Sequence, residues 1–222
     1  MKKTLLSALL ATITFSAALA STATYADEGG IRHYAVTITN ITRGQIIAPP
    51  AVIAHNSEYK MFTLGSPGGY ELSQLAEAGN GSLVLGAAAA MPSVYKTALG
   101  NGGILPGASQ TIEIETTKEF SEISVGAMLA STNDGFMAIR GVNAPRRGEV
   151  TVMAEAYDAG TEANSESCTF VPGPPCGGLL HDNSPAEGYV HIHAGIHGIG
   201  GLSAAMQDWR SAVAQVEIKR LD

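Results

Sequence analysis

Six stretches of this chain alternate apolar and polar residues with a period of two, the signature of a half-buried β-strand. His33 to Ile41 sets Tyr34, Val36, Ile38 and Asn40 on one face against Ala35, Thr37, Thr39 and Ile41 on the other. Thr111 to Thr116 opposes Ile112 and Ile114 to Glu113 and Glu115. Glu122 to Leu129 and Phe136 to Val142 read as a hairpin pair around the turn STNDG, whose Asn-Asp-Gly suits positive φ. Gly148 to Tyr157 alternates Val150, Val152, Ala154 and Ala156 with Thr151, Met153, Glu155 and Tyr157. Ala212 to Leu221 sets Ala214, Val216 and Ile218 against Gln215, Glu217 and Lys219, a closing strand.

Helical spacing is rarer. Glu71 to Ala78 places Leu72, Leu75 and Ala76 together and stops at Gly79. Ser82 to Tyr95 reads as a second short helix, and Leu202 to Trp209 as a single turn. The chain carries 26 glycines, many of them clustered between the alternating runs. Short strands joined by glycine-rich turns predict an all-β fold, an antiparallel β-sandwich, with a small helical insertion covering one edge.

The first residues stand apart. Lys2 and Lys3 precede an uncharged, mostly apolar run from Leu5 to Ala20, followed by small residues. That order predicts a secretory signal peptide, and the run falls short of the ~20 residues a membrane span needs. Cleavage fits after Ala20 or after Ala26, and the polar start at Asp27 and Glu28 favours Ala26. The expected division is a leader over 1–26 and one domain over 27–222, exported to the periplasm or the medium. No later stretch is long and apolar enough to span a bilayer. The formal charge is −7, and loss of the two leader lysines makes it more negative. An acidic surface argues against nucleic acid and anionic lipid as default partners. The two cysteines, Cys168 and Cys176, are expected to pair in an oxidising compartment and close one Pro/Gly loop.

Candidate chemistry lies in the loops. Tyr157 to Glu166, YDAGTEANSE, places Asp158 and Glu162 four residues apart around Gly160, and Asp134 lies on the earlier STNDG turn. Carboxylates on bent loops suit a hard cation such as Ca2+, which takes six to eight oxygens. Three carboxylates held together repel unless a cation neutralises them or one takes a proton. Glu187 and Asn164 are open as further oxygen donors. A rival cluster is HIHAGIHGIGG, where His191 and His193 share a strand face and His197 follows in a glycine-rich turn, a set suited to Zn2+ or Cu2+ in a periplasmic metal-binding protein or metalloenzyme. His181, His55 and His33 are further imidazoles. Catalysis finds no motif: the chain has no nucleophile elbow, HExxH, P-loop or dinucleotide fingerprint. Trp209, the single tryptophan, is expected to pack in the core beside the last strand, Arg210 to pair with an acid, and Arg146 and Arg147 to form a solvated tip.

The chain resembles the spondin N-terminal domain family in four places: the early strand with TITNITRGQIIAPP and AHNSEYKMFTLG, STNDGFMAIRGV, YDAGTE, and the closing DWRSAVAQVEIKRL. Together they run from about His33 to Leu221. The resemblance implies a C2-like β-sandwich that binds calcium through loops at one end, with Asp134, Asp158 and Glu162 as ligands. It also implies a non-catalytic binding or adhesion role towards an extracellular or periplasmic protein or glycan. Two positions depart from the family's pattern. Gly135 stands where an aromatic follows the first Asp, and Glu162 stands where a second Asp is usual.

Overall fold

A computed structural model describes residues 30–222, so the expected leader and its cleavage point lie outside the described residues. The strands are β1 (Arg32–Asn40), β2 (Ala51–His55), β3 (Val94–Leu99), β4 (Ser109–Thr116), β5 (Glu122–Met128), β6 (Gly135–Asn143), β7 (Glu149–Asp158), β8 (His191–Ile192) and β9 (Ala214–Arg220). The helices are α1 (Gly69–Ala78), α2 (Gly81–Ala89) and α3 (Ala204–Gln207). All six strands expected from alternation are present, within two residues at either end.

Every pairing is antiparallel, in the order β3-β2-β5-β6-β7-β9-β1-β4, with β8 added on β7. The sheet curls until its two ends meet. Lys96 on β3 donates to Glu115 on β4 at 3.2 Å, and a cavity of about 160 Å³ runs along this seam. The all-β, antiparallel expectation holds, in the form of one nearly closed barrel.

The barrel interior is filled by the faces that the alternation assigned inward. Tyr34, Val36, Ile38, Val216 and Ile218 are fully buried, and Ile112 and Ile114 nearly so. A second apolar layer lies outside the barrel, where α1, α2 and the residues around Phe62 cover β2, β5, β6 and the end of β7. Leu72 and Leu75 pack there with Ile53, Phe136 and Tyr157, and Phe62 meets Phe136 edge-on with ring centroids 5.0 Å apart. The helices therefore cover a face of the sheet, where an edge was expected. The reason lies in β2, whose five residues are all buried. A strand covered on both sides shows no alternation and reads as an undifferentiated apolar run. The expected helix over Ser82 to Tyr95 also ends early. Pro92 disfavours helical backbone at Met91, and the chain re-enters the sheet as β3.

The STNDG turn closes differently from its sequence reading. None of its residues takes positive φ. The Thr132 hydroxyl instead accepts the Gly135 N–H at 2.8 Å and donates to Leu129 O at 2.7 Å, while Leu129 N–H bonds Gly135 O.

Cys168 and Cys176 form a disulfide, and its loop sits on a small satellite core of Val171, Ile196 and Leu202 with Trp209 against it. Trp209 is half-buried between this satellite core and the main one, and not inside the core as expected. Arg210 reaches only Asp208, at 3.4 Å, with its side chain almost fully exposed. Replacing both cysteines with serine should lower the unfolding free energy by ~2 to 3 kcal/mol, the chain-entropy value for so short a loop. Urea denaturation of the wild type and the double variant measures it.

Candidate functional site

One pole of the barrel gathers the β5–β6 turn, the end of β7 with the loop that follows it, and residues 181–191. The register explains why. The last position of β7, Asp158, lies opposite Gly135 on β6 and His191 on β8, so the residue after the STNDG acid, the second acid and a histidine arrive side by side.

Asp134, Asp158 and Glu162 are all fully buried at this pole, which is unusual for carboxylates. Asp134 clasps the following loop. Its Oδ2 accepts the N–H groups of Thr161 at 2.7 Å and Glu162 at 3.1 Å, together with the Thr161 hydroxyl. Its Oδ1 is buried without a hydrogen-bond partner. Asp158 uses both oxygens: Oδ1 accepts the Gly160 N–H at 2.7 Å, and Oδ2 accepts from the Asn164 amide. His191 Nε2 lies 3.4 Å from Oδ1. Glu162 Oε1 accepts the Asp182 N–H, and its Oε2 is buried without a partner.

Burial dominates the electrostatics. It pushes Asp134 up to about 7, with the Asp158 charge adding to the rise and the Thr161 and Glu162 N–H groups opposing it. It pushes Glu162 up to about 8; the Asp182 N–H opposes this, and Glu77, Asp134 and Asp182 reinforce it. Asp158 is raised by burial, against the pull of Asn164, Gly160 and His191.

The three expected ligands share the pole, but Asp158 and Glu162 fall in two different clusters and Asp134 in neither. Ligand atoms of Asp158, Glu187 and His191 lie within 4.8 Å of one another, as do those of Glu77, Glu162 and His181. Asp134 belongs to neither cluster and acts on both through charge and through its hold on the loop. Glu187 thus joins Asp158, whereas Asn164 donates its amide to Asp158 and Glu187. Sequence reasoning missed Glu77, which is buried near the end of α1 and bonded to His181 Nδ1. One signal was present: an acid in the last turn of a helix runs against the helix dipole and needs a local reason.

The imidazoles of HIHAGIHGIGG separate. His191 faces Asp158. His193 is buried with its ring 5.0 Å from Trp209; its Nδ1 accepts the Gly195 N–H, and its Nε2 has no partner. Burial, reinforced by His191 and His197, pushes His193 down to about 4. His197 is exposed, and its N–H goes to Glu166. Among the described residues, the metal-sized clusters contain His191 but neither His193 nor His197. Glu166, at the end of the acidic loop, gathers the N–H groups of His197, Gly198 and Ile199 on its carboxylate and so builds the GIHGIGG turn. His55 is also committed, with one nitrogen on Ser124 Oγ and the other on Asn56 O, each at 2.7 Å.

Each cluster offers two carboxylates and one imidazole. Oxygen donors suit Ca2+, and an added imidazole suits Zn2+ and its neighbours. Fold and pole together define an all-β chain carrying acid–imidazole clusters able to hold a metal ion. No helix among the described residues is long and apolar enough to cross a membrane. No family model matches the chain, and no curated protein matches it.

Proposed function

We propose that this chain is an exported, non-catalytic binding module of spondin type, a C2-like sandwich in which a divalent cation orders the loops at one pole. The observation that carries this reading is the pair of orphaned oxygens. Asp134 Oδ1 and Glu162 Oε2 are buried acceptors with no donor. Leaving such groups unsatisfied costs ~1–3 kcal/mol each, and more for a charged group. Ions held at the two clusters would neutralise Asp158 and Glu162 and relieve the repulsion that each exchanges with Asp134. Calcium is the first candidate ion, and the ordered loops are the surface for an extracellular protein or glycan ligand. A specific observation favours a second ion class. His181 and His191 each sit with two carboxylates, so Zn2+ or Cu2+ would bind through them, in place of the His191, His193 and His197 trio.

Metal analysis of protein purified without chelator, paired with thermal melts, tests the reading. An ion present at a hundred times its Kd should stabilise by ~2.7 kcal/mol. For a domain of this size that raises Tm by ~5 to 10 °C. Calcium content with a calcium-dependent Tm supports the oxygen site; zinc or copper content supports the mixed clusters. The same Tm with chelator and with all three ions would remove the basis for the proposal.

A further inference from the structure

The opposite pole carries the reverse charge. Arg32, Lys118, Arg146, Arg147 and Arg220 line one cavity of about 710 Å³, so five of the chain's 13 basic residues converge there in a molecule of net charge −7. They come from four separate places: the start of β1, the β4–β5 connection, the β6–β7 turn and the end of β9. The nine residues of β6 span the distance between the poles, ~30 Å at the rise of an extended strand.

The cavity has a fixed wall and an open rim. Arg220 is the anchored member. Its Nη1 donates to Arg146 O at 2.7 Å and its Nε to Asp222 Oδ1 at 2.9 Å, so the guanidinium is held in place. Arg32, Lys118, Arg146 and Arg147 enter no ion pair among the described residues. Among the described residues, Asp222 is the one carboxylate in ion-pair contact with this group, and it engages Arg220 and the His33 N–H. Elsewhere Lys96, Lys219 and Arg210 each have a carboxylate partner, and Arg43, Lys60 and Arg140 enter no ion pair among the described residues but do not line this cavity. Four unpaired cations brought to one concavity repel one another, and a bound polyanion removes that repulsion. Ser121 also lines the cavity.

We propose that this cavity binds a multiply charged oxyanion of phosphate or sulfate type, held by the forked donors of Arg32, Arg146 and Arg147 with Lys118 as a point charge. Such a group occurs both on soluble or polymeric ligands and on lipid headgroups. The proposal is independent of the metal pole.

The test uses residues 27–222, at low ionic strength, with three probes: inorganic pyrophosphate, dextran sulfate, and vesicles containing phosphatidylglycerol. Affinity is measured by calorimetry or co-sedimentation for the wild type, for Arg146→Gln/Arg147→Gln, and for Lys96→Gln as a control that removes a cation at the barrel seam. The turn double variant should bind at least about tenfold more weakly, the loss expected when charge-assisted hydrogen bonds go. Lys96→Gln should bind like the wild type, and raised salt should weaken binding. Binding of pyrophosphate or dextran sulfate alone assigns a soluble ligand, and binding of vesicles alone assigns a headgroup; either supports the site. Failure of all three probes, or equal binding by wild type and double variant, overturns it. Melting curves confirm that the variants are folded.

Discussion

Between pH 6.5 and 8 the metal-free protein should become less stable as the pH rises, by about 2 kcal/mol or ~4 to 8 °C in Tm. Glu162 titrates near 8 in the folded chain against 4.5 ordinarily, and Asp134 near 7 against 3.8. Both therefore keep their protons in the folded state where the unfolded chain has released them. The folded state binds more protons across this window, so raising the pH favours unfolding. Below about 6.5 the trend is only partly offset. His193 is held down near 4, so the unfolded chain takes up a proton there first, and lowering the pH is destabilising through that residue. Saturating divalent ion should flatten the slope above 6.5, because the ion takes the place of the protons. Glu162→Gln, which imitates the protonated side chain, should remove most of the slope and also the ion response. Calorimetry in chelator at three pH values decides it. A Tm that is level or rising across the window would show that the two carboxyls are already ionised and stabilised in some other way.

Gly160→Ala should be the most damaging small substitution at the acidic pole, costing ~3 to 5 kcal/mol. Gly160 has φ +65°, a conformation that costs a side chain about 1–2 kcal/mol. Space is the larger problem. A Cβ here would lie 2.2 Å from the carbonyl oxygen of Tyr189 and 2.6 Å from its nitrogen, and both are backbone atoms. The chain from Gly188 to Val190 would have to move, and that segment joins Glu187 to His191. The Gly160 N–H that Asp158 accepts, and the Gly160 carbonyl that takes the Gly188 N–H, would shift with it. The variant should therefore lose stability and ion binding together. Gly148→Ala, at φ +69° with nothing near its missing Cβ, should show the conformational cost alone and keep the ion. Equal losses for the two would mean that the close approach of Tyr189 is unimportant.

The sheet was largely readable from the chain because most strands have one inward and one outward face, as Val36 and Thr37 on β1 or Ile114 and Glu115 on β4 show. β2 and the outer helical layer were not readable, because burial on both sides erases the period. The acids of the pole were found through their loops, yet their grouping was hidden. Glu77 comes from 85 residues before Glu162, and no local pattern links a helix end to a loop five strands further along the chain. Register decided the rest, since only the pairing of β7 with β8 seats His191 on Asp158 and carries His193 under Trp209.

The seam between β3 and β4 bears on how the chain behaves in a crowd. Uncapped strand rims invite other polypeptides to add on, the route to fibrils and swapped dimers. Here each rim guards the other. They stand close enough for Lys96 to bridge to Glu115, too near to admit a foreign strand without first being prised apart, and the lysine and the glutamates along them make a poor template. A chain built this way can stay monodisperse without a closed hydrogen-bonded ring.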